Sequence, residues 1–216
     1  MTLRIAHTAD IHVRNLSRHA EYKQIFTAFI ERCREQHVDH IFIGGDVFHT
    51  KTSGMSPECI EFMCWLFDAL AEVAPLHVTL GNHDLNLSNK SRQDAISPII
   101  AALNNPRIHL YKNSGTYEFA PGYVWGVFSL FDEENWDKVK PVPGKVNIAC
   151  YHGPIWGATT DTNWLIEEGT TVEFFKGWDF AMLGDIHTHQ FLAGRDIELE
   201  INATDIGNYP EAEVIG

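Results

Sequence analysis

Five times in this chain a short apolar run of strand type ends in Asp, His or Asn, usually beside glycine. Ile5 to Ala9 runs into Asp10-Ile11-His12, and Ile41 to Ile43 runs into Gly44-Gly45-Asp46. Leu76 to Leu80 leads to Gly81-Asn82-His83-Asp84, Val146 to Cys150 to Tyr151-His152-Gly153, and Phe180 to Leu183 to Gly184-Asp185-Ile186-His187. The steps from Asp10 to Asp46, Asp46 to Asn82 and Asn82 to His152 are 36, 36 and 70 residues. These are the lengths of one, one and two strand–crossover–strand units. The pattern confines the chain to an α/β fold with its polar residues at the carboxyl ends of neighbouring strands, where open α/β sheets place their sites.

Between these runs, Glu21 to Glu35 carries Tyr22, Ile25, Phe26, Phe29, Ile30 and Cys33 at helical spacing. Ser56-Pro57 starts a second helix, serine capping and proline in the first turn. That helix, 57–73, is apolar on nearly every face, which leaves two readings: burial under the rest of the chain, or a subunit interface shared with a helix at 94–104. After Asn104-Asn105-Pro106 the texture changes to short strands and tight turns, which predicts a second sheet packed on the first. Residues 153–171 read as a long loop near the site. Phe191 to Ala193 and Ile197 to Ile201 read as closing strands.

At 216 residues one domain over 1–216 is expected. No apolar run is long enough to span a bilayer and no leader pattern opens the chain, so a soluble cytoplasmic protein without membrane contact is expected. Cys33, Cys59, Cys64 and Cys150 form no Cys-x-x-Cys pair and read as reduced, packed thiols. The net charge of -13 argues against a broad basic face for nucleic acid. Bound cations would offset part of it, and Arg14, Arg18, Lys51, Lys90 and Arg92 lie just beyond ligand-bearing turns as a local basic rim.

Carboxylate, amide and imidazole donors in one place suit hard divalent ions, Mn²⁺ first, with Mg²⁺ or Fe²⁺ as alternatives. A carboxylate bridging two such ions about 4 Å apart lets them clamp a phosphoryl group. Asp46 is assigned as the bridge, with Asp10, His12 and His187 completing one metal site and Asn82, His152 and Asp185 the other. His83 remains to protonate the leaving oxygen, with Asp84 expected to hold its tautomer. His49 is placed to reach the substrate phosphate or His83, or else to cap its loop. His7, His77, His109 and His189 read as structural or exposed.

Asp10-x-His12, Gly45-Asp46, Gly81-Asn82-His83-Asp84, His152 and Gly184-x-x-His187 together resemble the ordered signature of the calcineurin-like metallophosphoesterases. Within that superfamily, Thr8-Ala9-Asp10-Ile11-His12, Gly45-Asp46-Val47-Phe48-His49 and the Ser56-Pro57 helix are most similar to SbcD-type nucleases of double-strand-break repair. The resemblance implies a four-layered α/β/β/α sandwich with two mixed central sheets. It further implies Mn²⁺-dependent endo- and exonuclease activity on DNA, a homodimer through helices 57–73 and 94–104, and an SbcC-type ATPase partner. The sequence departs from the family in two ways. Asp185 stands where the last motif normally has histidine, which implies an altered metal preference. The sequence also stops at Gly216, so most of the family's capping and ATPase-binding segments are expected to be absent from it, as in a catalytic-domain fragment or a minimal form. Two other functions compete with the nuclease: a phosphodiesterase or phosphatase for small substrates, which the acidic charge suits, and an inactive scaffold subunit.

Overall fold

The computed structural model describes residues 3–49, 54–87, 89, 92–160, 162–187, 199–201 and 214–215. Strands β1 (Ile5–Thr8), β2 (His40–Gly44), β3 (Leu76–Thr79) and β4 (Ile108–Tyr111) are joined by helices α1 (His19–Glu35), α2 (Pro57–Val73) and α3 (Ser97–Leu103). The chain then forms β5 (Gly115–Ala120), β6 (Tyr123–Phe128), β7 (Val146–His152), β8 (Phe180–Gly184), β9 (Leu199–Ile201) and β10 (Val214–Ile215). One sheet has the order β10-β1-β2-β3-β4, the other β5-β6-β7-β8-β9.

The second sheet is mixed, because the turn at Pro121-Gly122 is too short for a crossover and sets β5 antiparallel to β6. In the first sheet every described pairing is parallel, because helical crossovers link β1 through β4.

Alternation along the strands sorts the side chains into three apolar layers. Ile41 and Ile43 face the helices with Phe29, Met63, Leu66 and Leu70. Between them, Phe42 faces the other sheet and meets Trp125, Ile148, Cys150 and Met182. The far side of the second sheet packs Ala149, Tyr151 and Leu183 against Ile155, Phe175 and Ile186. The outer layer there is built, among the described residues, of 3₁₀ turns at Glu133–Lys138 and Val172–Phe175 and of loop.

Most of the apolar surplus of α2 is covered within the chain, by the first sheet, α1 and α3. Ile60 stays exposed and Trp65 half-buried, with the Lys23 ammonium over its ring at 5.1 Å. The helix expected at 94–104 is shorter. The Asp94 carboxylate accepts the N–H groups of Ile96 and Ser97, at 3.0 and 2.6 Å, and so ends the loop before the helix begins. The expected strand at 191–193 lies outside the described residues.

Candidate metal centre

The loops after β1 and β2 run side by side. Asp10 N–H donates to the Gly45 carbonyl at 3.1 Å, His12 N–H to Asp46 at 3.0 Å, and Val13 N–H to Val47 at 2.8 Å. This brings Asp10, His12 and Asp46 to one point. Across the sheet interface, His152 ends β7 and Gly184 ends β8 in register, so Asp185 and His187 approach from the other side.

Close approach requires small residues where the strand ends meet. A methyl group on Gly81 would lie 2.1 Å from Asp46 Oδ1, and one on Gly184 would lie 2.4 Å from the Gly44 carbonyl and 2.5 Å from His152 Nδ1. Asp10, His12, Asp46 and Asp185 take φ of 54°, 50°, 51° and 77°. Non-glycine residues enter this left-handed region at a cost, and such strain gathers at functional sites.

Three sets of donors lie within 4.8 Å of one another: Asp10, His12 and His187; His12, Asp46 and His83; and Asp10, Asp46 and His152. His12 Nε2 lies 3.3 Å from His187 Nε2 and 3.7 Å from Asp46 Oδ2. His152 Nε2 lies 3.4 Å from Asp46 Oδ1 and 3.9 Å from Asp185 Oδ1. Asn82 Nδ2 donates to Asp185 Oδ1 at 3.3 Å, and the Asp185 N–H to the Asp10 carboxylate at 2.9 Å. Thus Asn82 and Asp185 adjoin the sets.

These donors suit a divalent cation. His152 Nδ1–H donates to the Gly44 carbonyl at 2.7 Å, which fixes the tautomer that leaves a lone pair on Nε2. That Nε2 is buried, and its neighbour Asp46 Oδ1, 3.4 Å away, is too poorly aligned for a good hydrogen bond. Burial pulls the His152 pKa down, but the close approach and charge of Asp46, with the charges of Asp10 and Asp185, outweigh it and raise the pKa to about 10. Burial raises Asp10 to about 6 against the pull of His152, and raises Asp185 as well. Burial also lowers His12 to about 4. The cluster calls for positive charge, which a proton on His152 supplies in the absence of a metal and which a divalent cation would supply in its place.

One expected role is corrected. Asp84 does not hold the His83 ring; its buried carboxylate accepts the backbone N–H groups of Val47, Phe48 and Gly81 at 3.3, 3.0 and 3.0 Å. A carboxylate whose lone pairs are taken by two loops is a brace between them. The His83 ring is oriented instead by the His49 backbone, since His83 Nδ1–H donates to the His49 carbonyl at 2.6 Å. The His49 ring lies 5.7 Å from that of His12 and 6.3 Å, nearly parallel, from that of His83. A carbonyl role carries no side-chain signature, so no sequence reading could find it. His7 and His77 are buried, His109 is exposed, and His189 lies outside the described residues.

Above the donors lies a cleft of about 470 Å³ whose lining includes Arg14, Arg18, Thr159, Thr160 and Ile166. Arg14 and Arg18 are the expected rim. Arg92 is exposed outside that lining, and Lys51 and Lys90 lie outside the described residues.

Two sheets whose strand ends converge on a buried Asp/His cluster define a candidate divalent-metal centre at their junction. The chain belongs to the calcineurin-like phosphoesterase family, whose model matches residues 3–190. It is 41% identical over 203 residues to an uncharacterised protein of Acanthamoeba polyphaga mimivirus, covering 87% of this chain and 15% of that protein. It is 26% identical over 211 residues to the DNA double-strand break repair protein Mre11 of Methanopyrus kandleri, covering 86% of this chain and 44% of that one. The chain therefore spans less than half the length of either curated relative. Among solved structures, the Pseudomonas putida nuclease MPE is 15% identical, with coverage of 75% of this chain and 66% of that chain and a TM-score of 0.43. No described helix is long and apolar enough to cross a membrane.

Proposed function

We propose that this metallophosphoesterase is an SbcD-like nuclease hydrolysing phosphodiester bonds in DNA. The observation that carries the reading is the cleft, in which the Asp/His floor lies under a wall bearing Arg14 and Arg18. The likeness to Mre11 over most of the chain points the same way. One divalent ion would be held by Asp10, His12, Asp46 and His187, a second by Asp46, Asn82, His152 and Asp185, with Mn²⁺ the ion of choice. Bound there, the ions supply Lewis-acid activation and charge stabilisation for phosphoryl transfer.

The remaining work belongs to the chain's own groups. Arg14 and Arg18 bind backbone phosphates; the exposed Arg18–Glu21 pair, at 2.6 Å, is weak enough to be exchanged for one. With Nδ1–H committed to the His49 carbonyl, His83 Nε2 faces the floor 4.0 Å from Asp46 Oδ2 and holds the proton delivered to the leaving oxygen. The homodimer through 57–73 and 94–104, the ATPase partner and a cytoplasmic setting belong to the same proposal. For the dimer, the support is the exposed Ile60 and half-buried Trp65 left on α2.

The test is hydrolysis of linear and circular single-stranded DNA and of bis-p-nitrophenyl phosphate with Mn²⁺ or Mg²⁺, by wild type and His83→Ser. DNA cleavage that requires Mn²⁺ and falls about 10²- to 10⁴-fold in the variant, with metal still bound, is expected. Cleavage of the small diester alone would replace this reading with the small-substrate one that the charge of -13 favours. Neither cleavage, with two metals bound, would leave a scaffold subunit.

A further inference from the structure

Trp164 is 75% exposed beside the cleft, and the chemistry above makes no use of it. The segment carrying it is well tied. Ile155 bridges Thr170 and Thr159 bridges Leu165, the latter antiparallel. Trp156 N–H donates to the Thr170 carbonyl at 2.7 Å, Gly157 N–H to Ile166 at 2.8 Å, and Ile166 N–H to Ala158 at 2.7 Å. At the tip, Thr160 N–H donates to the Trp164 carbonyl at 2.9 Å and Trp164 N–H to Thr160 Oγ1 at 3.1 Å. Ile155 and Ala158 anchor the base in the apolar layer under the second sheet. The indole's backbone is thus held, and only two side-chain torsions remain to be ordered by a ligand.

The hairpin faces the metal centre, because Thr159, Thr160 and Ile166 line the cleft together with Arg14 and Arg18. Opposed residues of an antiparallel pair share a face, as do alternate residues of one strand. Trp164 is opposed to Thr160 and alternate with Ile166, both of which line the cleft, so its backbone stands at the cleft's rim.

We infer that Trp164 is a stacking platform for an unpaired nucleobase next to the phosphodiester bound over the Asp/His floor. The inference rests on the DNA reading above and narrows it to single-stranded or frayed substrate. A base inside a duplex has both faces covered, whereas an unpaired base can lay one on an exposed indole. Stacking is indifferent to sequence, and arginines beside it can follow the backbone phosphates, a combination that suits single strands.

The experiment compares wild type, Trp164→Ala and Trp164→Phe with Mn²⁺ on a single-stranded oligonucleotide, and on the same strand made abasic around the cut site. Trp164→Ala should raise KM on the normal strand about 5- to 150-fold, the worth of one base stacked on an aromatic ring. Trp164→Phe should recover most of that, and on the abasic strand the three proteins should differ by less than about twofold. An equal loss on both strands, or none on the normal one, would overturn the stacking role while leaving the nuclease reading intact. A wild type that neither binds nor cuts any strand would remove the DNA reading and this inference with it. Sedimentation of the same proteins gives the remaining arm. A change of oligomeric state in Trp164→Ala would make the exposed Trp156, Trp164 and Leu165 a protein interface and refute the base platform.

Discussion

Asp84→Asn separates a brace from a tautomer-holder. In wild type, Oδ2 accepts Val47 N–H at 3.3 Å and Gly81 N–H at 3.0 Å, while Oδ1 accepts Phe48 N–H at 3.0 Å. Asparagine keeps the shape but has one acceptor oxygen. Its better placement puts the carbonyl at Oδ2 and turns an NH₂ toward the Phe48 N–H. One hydrogen bond to a charged acceptor is then lost and one buried donor is left without a partner, at a combined cost of about 2–4 kcal/mol. Against a typical total stability of about 5–15 kcal/mol the variant still folds, with Tm lower by about 5–15 °C for a chain of this length. Because the brace joins the turn after Gly81 to the loop after Asp46, Mn²⁺ affinity should fall with stability. Thermal unfolding by circular dichroism and Mn²⁺ titration by calorimetry would both move. If Asp84→Asn leaves Tm and metal affinity unchanged and lowers only kcat, Asp84 acts on catalysis through His83, and the brace is wrong.

Gly81→Ala sets a methyl against Asp46 Oδ1, and overpacking of this kind costs about 1–3 kcal/mol; bound Mn²⁺ should be lost before the fold is, and calorimetry of the two variants side by side would show it. A pH effect arises far from the cleft. Burial, with the charges of His40 and His109, lowers the His77 pKa from 6.5 to about 3. The unfolded chain then binds the proton the folded one refuses, so stability is intact above pH 6.5 and declines as pH falls toward 3. At pH 5 the loss from this residue is about 2 kcal/mol. Urea unfolding of the metal-free protein between pH 7 and 5 should show that slope, and His77→Gln should reduce it; an unchanged slope would place the sensitivity elsewhere.

Much of the fold and the donor set was legible because both follow from short-range pattern. Continuous apolar runs such as Ile41 to Ile43 mark strands buried on both faces, and the polar residue after each run marks its carboxyl end. Asp10, His12, Asp46, His83, His152 and His187 do converge. The 57–73 helix starts where its serine and proline predict, with Ser56 Oγ accepting the Cys59 N–H at 3.1 Å. The apolar excess of that helix was ambiguous, because composition does not say which neighbour covers a face. Here α1 and α3 do most of the covering.

The sequence by itself determined which residues stand at strand ends, since side-chain period, strand length and turn chemistry act over a few residues. Only the tertiary structure decided what those residues do there. Asp84 lies next to His83 in the chain, yet its carboxylate is taken by N–H groups 36 and 37 residues away as well as by that of Gly81. The ring of His83 is aimed by a carbonyl, a group every residue has. The hairpin that carries Trp164 to the cleft is likewise held by pairings between backbone groups, with no composition of its own to announce it. Roles set by backbone groups from distant segments depend on how the layers pack, and packing is a property of the folded chain.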